Sequence, residues 1–246
     1  MQLDFVAREL ALKLVYYGPA LSGKTTNLQA MHRLTSAGSH GRLMTLETRD
    51  DRTLFFDLLP LAVKAEGDLT LRIKLFTVPG QVIHSSTRRL VLQGADGIAF
   101  VADSQLAEAE NNRVSFLDMR QNLKDNGLDP RKLPIVIQFN KRDLPSDAIR
   151  PDDEIAELAV HGREPVYKAV ATRGDGVIET FLGLLSLTWA HLDAEHDFSK
   201  KFGLQSASFV ASLARQLGVE GDPQALISAA IGVDPRTPTR RMEAVR

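Results

Sequence analysis

Eight residues, Gly18-Pro19-Ala20-Leu21-Ser22-Gly23-Lys24-Thr25, constrain the fold more than any other feature of the chain. They satisfy G-x-x-x-x-G-K-[ST] at every fixed position, and they stand between the segments that such a loop needs. Leu10–Tyr17 reads as a buried strand, and residues 25–36 read as a helix. Backbone N–H groups converging at a helix N-terminus form an anion site, and the helix dipole favours phosphate there. Glycine lets the backbone approach closely, Lys24 can reach β- and γ-phosphates, and the Thr25 hydroxyl can ligate Mg²⁺. The expected phosphate cradle is Gly18, Pro19, Ala20, Leu21, Ser22, Gly23, Lys24, Thr25 and Thr26. A glycine turn with an incidental Lys-Thr is the competing account, and the strand and helix on either side argue against it.

Beyond this loop, apolar β-rich runs alternate with longer segments that have one polar face. Strands are expected over residues 10–17, 42–46, 69–78, 97–103, 134–140 and 164–170, and helices over 25–36, 108–126, 152–160 and 177–191. Continuous apolar runs such as Ile98–Ala102 and Ile135–Ile137 suit parallel strands buried on both faces. Leu69-Thr-Leu-Arg-Ile-Lys-Leu75 alternates instead, and is expected to pair antiparallel with the strand before it, across residues 64–68. The pattern predicts an α/β fold: a mostly parallel, doubly wound sheet with one antiparallel edge strand, and a ligand crevice at the carboxyl ends of its strands. A chain of 246 residues has room for one such domain and an appendage. After about residue 195 the character changes. Phe198, Phe202, Phe209, Val210, Leu213 and Leu217 fall near helical spacing, Asp222-Pro223 can start another short helix, and the last residues contain little that could form a core. The expected division is residues 1–195 as the domain and 196–246 as a C-terminal extension, an amphipathic helix followed by a disordered tail. Packing on the domain, docking in a partner groove and lying on a membrane all remain open for that helix.

Composition narrows the function. A net charge of −1 gives no electrostatic footprint for nucleic acid or an acidic membrane surface. The absence of cysteine excludes disulfides, thiolate metal sites and a cysteine nucleophile. No apolar run is long enough to span a bilayer, and no signal peptide or lipidation motif is apparent. A cytoplasmic protein without a stable membrane anchor is expected.

Asn140-Lys141-Arg142-Asp143 follows a predicted strand at the position where a guanine-reading loop belongs. A carboxylate such as Asp143 accepts two hydrogen bonds from guanine N1–H and the exocyclic amine, whereas adenine presents the opposite polarity and leaves it unpaired. Asn140 would help hold the base edge and the Lys141 stem would cover the base face. Thr77-Val-Pro-Gly80-Gln81 ends another strand; Gly80 can donate its N–H to a γ-phosphate, and Gln81 can orient the attacking water. Taken alone, a Pro-Gly turn with an incidental glutamine explains that segment more simply. The charged run over residues 47–57, with Arg52 and Thr53, can close on Mg²⁺ and a γ-phosphate, and a solvated loop accounts for it equally well.

Together these segments resemble the small Ras-like GTPases, and most closely the bacterial MglA family of gliding-motility and cell-polarity GTPases. The resemblance rests on Gly18-Pro-Ala-Leu-Ser-Gly-Lys-Thr-Thr-Asn-Leu28, Asp51-Arg-Thr-Leu-Phe-Phe-Asp-Leu-Leu-Pro-Leu61, Phe76-Thr-Val-Pro-Gly-Gln-Val82 and Asn140-Lys-Arg-Asp-Leu-Pro145, in order over roughly residues 10–195. It implies a P-loop small-GTPase fold, GTP or GDP as ligand and Mg²⁺ as cofactor. It also implies Thr53 as a second metal and phosphate ligand, and Val170, Ala171 and Thr172 as the loop that buttresses the base. Arg52 matches an arginine thought to act as a finger in cis, and Gln81 the water-orienting glutamine. The implied partner is a roadblock-type, MglB-like activating dimer, with further effectors unnamed, and the implied setting is a cell pole. One departure from the general Ras pattern is Thr77, which stands where a carboxylate usually supports the metal. Asp57 could replace it or serve a purely structural role. The expected function is a GTP-hydrolysing switch, slow without its activator. The rivals are a guanine-nucleotide-dependent docking scaffold with negligible hydrolysis and an ATP-using P-loop enzyme.

Overall fold

The computed structural model describes residues 1–4, 6–46, 56–64, 69–80, 85–202 and 206–231. Eight strands form one sheet: β1 (Gln2–Asp4), β2 (Glu9–Tyr17), β3 (Met44–Leu46), β4 (Phe56–Lys64), β5 (Thr70–Thr77), β6 (Gly97–Asp103), β7 (Ile135–Asn140) and β8 (Val166–Lys168). The order across it is β3-β4-β5-β2-β6-β7-β8. The strands from β5 to β8 run parallel, β4 runs against both its neighbours, and β1 pairs antiparallel with the start of β2. This is the expected mostly parallel sheet with a reversed strand at one side. Residues 69–78 pair antiparallel with the strand before them, but that strand is β4, which was not among the expected strands; the strand expected at 42–46 is β3 and pairs with β4 instead, and residues 65–68 lie outside the described ones.

The helices are α1 (Lys24–Leu34), α2 (Ser85–Leu92), α3 (Ala109–Asp125), α4 (Asp152–His161), α5 (Val177–His196), α6 (Phe198–Phe202), α7 (Ser206–Gln216) and α8 (Pro223–Ser228). They cover both faces of the sheet, because its central strands are apolar on both sides. Leu10, Leu12 and Leu14 of β2 enter one core with Leu28, Phe181, Leu185 and Trp189 of α1 and α5, while Val15 and Tyr17 enter a second core with Leu92, Met119 and Leu123 of α2 and α3. Fully burying a leucine or phenylalanine is worth about 1.5–3 kcal/mol, so this two-sided strand is the anchor of the fold.

Other elements differ from expectation too, among them β1, which was not anticipated. α5 runs past residue 191 to His196 because Leu192 is still in the core, and it stops where Asp197 turns left-handed at φ 54°. α2 was not anticipated: Ser85–Arg89 looks like polar loop, but Val91 and Leu92 are buried and fix the helix by packing rather than by propensity. β8 is only three residues long, and Ile231 covers its free edge by donating its N–H to the Val166 carbonyl at 2.7 Å.

The stripe after residue 195 packs on the domain. Phe198, Phe209, Val210, Leu213 and Leu217 are buried in the first core, and the Phe209 ring stacks on Trp189 with centroids 3.7 Å apart. Polar ties fasten the same segment: Ser36 N–H donates to the Leu217 carbonyl at 2.7 Å and Lys64 N–H donates to Gln216 Oε1 at 2.9 Å. Among the described residues no helix is long and apolar enough to cross a membrane. The expected disordered tail lies outside the described residues from 232 onward.

Candidate functional site

The carboxyl ends of β2, β5, β6 and β7 carry Tyr17, Thr77, Asp103 and Asn140, so the phosphate loop, the segment after Thr77 and the Asn140 loop leave the same end of the sheet. Because β4 is reversed, its first residues, Phe56 and Asp57, reach that end too. A cavity of about 550 Å³ opens there, lined by Lys24, Thr25, Thr45, Asp57, Thr77 and Gly80 among others.

Residues 18–23 wrap the N-terminus of α1, with Leu21 at the exposed tip and Gly18, Pro19 and Ser22 buried. Gly23 has φ 99°, and a Cβ added there would meet Asn140 Nδ2 at 2.2 Å, so conformation and space both require glycine. Lys24 is buried and donates to the carbonyls of Gly18 at 2.9 Å and Pro19 at 2.5 Å. Burial first, and the Arg88 guanidinium after it, push its ammonium down to about 7 against the opposing pull of Asp57. A phosphate anion would supply the negative charge that this lysine lacks.

Thr25 Oγ1 donates to Asp57 Oδ2 at 2.6 Å, Thr45 Oγ1 to Asp57 Oδ1 at 2.8 Å and Thr77 Oγ1 to Asp57 Oδ2 at 3.0 Å. Thr45 faces Asp57 across the β3–β4 ladder, and Asp57 N–H donates to Thr77 Oγ1 at 2.8 Å from the next strand. A Thr-Asp-Thr row therefore crosses three strands, with the carboxylate on β4 rather than on β5. The residue at the usual carboxylate position, Thr77, is hydrogen-bonded to the carboxylate that the sequence lacks there. Asp57 is also joined directly to the hydroxyl expected to ligate a metal. Oxygen donors alone, one of them a carboxylate, fit a hard divalent cation that keeps water and phosphate as its other ligands.

Gly80 lies against the phosphate loop: a Cβ there would stand 2.4 Å from both N and Cα of Ala20. The segment after β5 thus closes over the cradle by backbone contact. Arg52, Thr53 and Gln81 lie outside the described residues.

On the other side of the cradle, Asn140 Nδ2 donates to the Ser22 carbonyl at 2.8 Å and Oδ1 accepts from Ala171 N–H at 2.9 Å. Instead of standing free at a base edge, Asn140 ties three loops together and retains one amide hydrogen. Lys141 Nζ pairs with the buried Asp103 at 2.5 Å, which fixes the stem expected to cover the base. Asp143 is exposed in the same loop, Val170 and Ala171 are buried beside it, and Thr172 is exposed, its carbonyl accepting from Arg33 at 3.3 Å. The structure thus brings the phosphate loop, Asn140, Lys141 and Ala171 into one cluster. Sequence reasoning missed Thr45, Asp103, Asn27 and Gln138. Gln138 carried a legible signal, an amide inside the apolar run Ile135-Val-Ile-Gln-Phe139.

No protein-family model matches the chain. The chain is 44% identical over 190 residues to the "Mutual gliding-motility protein MglA" of Myxococcus xanthus (strain DK1622), an alignment that spans 77% of this chain and 96% of the relative. The chain belongs to the MglA family of small GTPases. The sheet and its flanking helices are the P-loop small-GTPase fold. The Thr-Asp-Thr row is how this MglA-family chain places a carboxylate beside Thr25 when β5 ends in threonine.

Proposed function

We propose that the chain is a GTP/GDP switch that hydrolyses GTP slowly with Mg²⁺ and is accelerated by a roadblock-type, MglB-like dimer. The observation that carries the reading is the junction of the phosphate loop with Asp57 through Thr25 Oγ1 at 2.6 Å, beside the charge-hungry Lys24. In this reading residues 18–26 and Gly80 hold the phosphates, while Thr25 and Thr53 ligate Mg²⁺ with Asp57 orienting the Thr25 hydroxyl. Asn140, Lys141, Asp143 and residues 170–172 hold guanine. Mg²⁺, held by Thr25 and Thr53, would supply positive charge that offsets the charge of the phosphates. Gln81 orients a water whose oxygen attacks the γ-phosphorus as the bond to the β-phosphate oxygen breaks, releasing GDP and inorganic phosphate. Arg52 neutralises charge developing in that step, a contribution worth ~10³–10⁵ in rate for such fingers. Nucleotide state is read out by segments 47–61 and 79–90. The relative's name supports a role in motility; cytoplasmic protein recruited to a cell pole completes the proposed reading.

The test is phosphate release from GTP and from ATP, with and without Mg²⁺ and with a candidate activating dimer, on the wild type and Gln81→Leu. GTP-specific, Mg²⁺-dependent turnover that Gln81→Leu abolishes is expected. Preference for ATP defeats the guanine assignment. Turnover unchanged by Gln81→Leu defeats the catalytic one and leaves the docking scaffold.

A further inference from the structure

Asn27 on α1 and Gln138 on β7 are both completely buried, and their amides are bonded to each other. Asn27 Nδ2 donates to Gln138 Oε1 at 2.9 Å, and Gln138 Nε2 donates to Asn27 Oδ1 at 3.0 Å. The remaining hydrogens have partners as well: Asn27 Nδ2 donates to the Gly23 carbonyl at 2.9 Å, and Gln138 Nε2 donates to Thr180 Oγ1 at 2.9 Å. Thr180 in turn donates to the Gly176 carbonyl at 2.6 Å, at the start of α5. An apolar pair of similar shape would fill the same space without polar groups to satisfy, so stability alone does not ask for two amides here. A fully satisfied buried network does fix relative geometry.

The elements so joined are informative. Gln138 and Asn140 lie two residues apart on β7 and share one face of the strand. Through Asn27, Gln138 reaches the Gly23 carbonyl; Asn140 reaches the Ser22 carbonyl directly. On the far side, Gln138 reaches the start of α5 through Thr180, and Asn140 reaches Ala171. Asn140 thus binds the phosphate loop to the loop expected to hold the base, and the Asn27–Gln138 pair on the same strand face binds it to the start of α5, which follows that loop. We propose that Asn27 and Gln138 are positioning residues that couple phosphate binding to guanine recognition, so that the two ends of the nucleotide bind cooperatively. The proposal rests on the guanine-nucleotide reading given above.

The decisive variant is the double substitution Asn27→Leu with Gln138→Met, because it orphans no buried group. Gly23 O still accepts from Asn27 N–H at 2.9 Å, and Thr180 still donates to Gly176. GDP, inosine diphosphate (which lacks the 2-amino group) and pyrophosphate serve as probes. Wild type is expected to prefer GDP to inosine diphosphate. The double variant is expected to melt near wild type and bind pyrophosphate equally well. It should release GDP ~tenfold faster and discriminate less between the two nucleotides, as the loss of one net hydrogen bond would allow. A variant with wild-type GDP release and wild-type discrimination overturns the coupling and leaves a structural pair. Should the double variant not fold, wild-type protein decides. The Asn27 and Gln138 side-chain amide protons should exchange more slowly with GDP than with pyrophosphate alone, and equal protection overturns the proposal. Equal affinity of wild type for GDP and ADP would instead bring down the guanine reading itself, and the coupling with it.

Discussion

Around Asn140 the cleft is held by neutral amides bonded to backbone, whereas around Asp57 it is held by three hydroxyls bonded to one carboxylate. The two walls therefore respond to different things. A buried amide–carbonyl bond carries no net charge, so neither pH nor cations act on it directly, and losing one partner strands the other. A carboxylate that accepts from hydroxyls is already placed to favour a cation near those oxygens, because hydroxyl oxygens can turn a lone pair to the metal while still donating. The Asn140 bonds are a fixed frame, and the Asp57 bonds answer to charge. The proposed switch would need both, since a base must be recognised in the same way in two states that differ at the phosphates.

The hardest blow to this comparison is Asn140→Ala. It leaves the Ser22 carbonyl and the Ala171 N–H without their partner in a buried place. Each such loss costs about 1–3 kcal/mol. GDP affinity should fall by ~10²-fold or more, read by titration of a fluorescent nucleotide, and should fall equally with and without Mg²⁺. A Mg²⁺-dependent defect would show that the two walls are not separate devices.

Asp57→Asn sharpens the other wall. The amide can keep part of the hydroxyl row but carries no charge. Mg²⁺ should then retard GDP release ~10–100-fold less effectively than in wild type, the range found when a residue supporting a metal ligand is altered. Release in excess chelator should match wild type. If chelator-treated variant also lost GDP, Asp57 would be a structural residue and the purely structural account of it would stand.

How much of this was legible depends on the kind of signal. The phosphate loop was readable because the motif fixes residue types at fixed spacing, and the two-sided burial of β6 and β7 was readable as continuous apolar runs. Asp57 was visible only as an alternative, because its partners come from α1, β3 and β5, and strand register across a reversed strand is not written in local sequence. Asn140 was placed correctly at the end of β7, yet its bonds to Ser22 and Ala171 arise from segments 118 and 31 residues away. The Phe198–Leu217 stripe left three fates open. Its packing on Trp189 depends on a face of α5 that periodicity marks as apolar without saying what covers it. A cut at residue 196 would uncover that face, so point substitutions are the cleaner probe of the extension.

The smallest effect joins the two walls at Lys24. Its ammonium is held down to about 7, chiefly by burial, against an ordinary value of 10.5 in the unfolded chain. Between those values the unfolded chain binds the extra proton, so the nucleotide-free protein gains stability from this group as pH rises from about 7 toward 10.5, and carries the full penalty below 7. A diphosphate restores the charge, so binding above pH 7 must draw a proton from solution. Calorimetric titration with GDP in two buffers of different ionisation enthalpy should show uptake of up to one proton at about pH 8.5 and almost none at about pH 6. Asp57 works in the opposite direction on the same ammonium, raising it, while Arg88 lowers it. Asp57→Asn should therefore increase the uptake at neutral pH, and Asn140→Ala, which removes no charge, should leave it unchanged. Uptake that shifts with Asn140→Ala and not with Asp57→Asn would reverse the assignment of charge sensitivity between the walls.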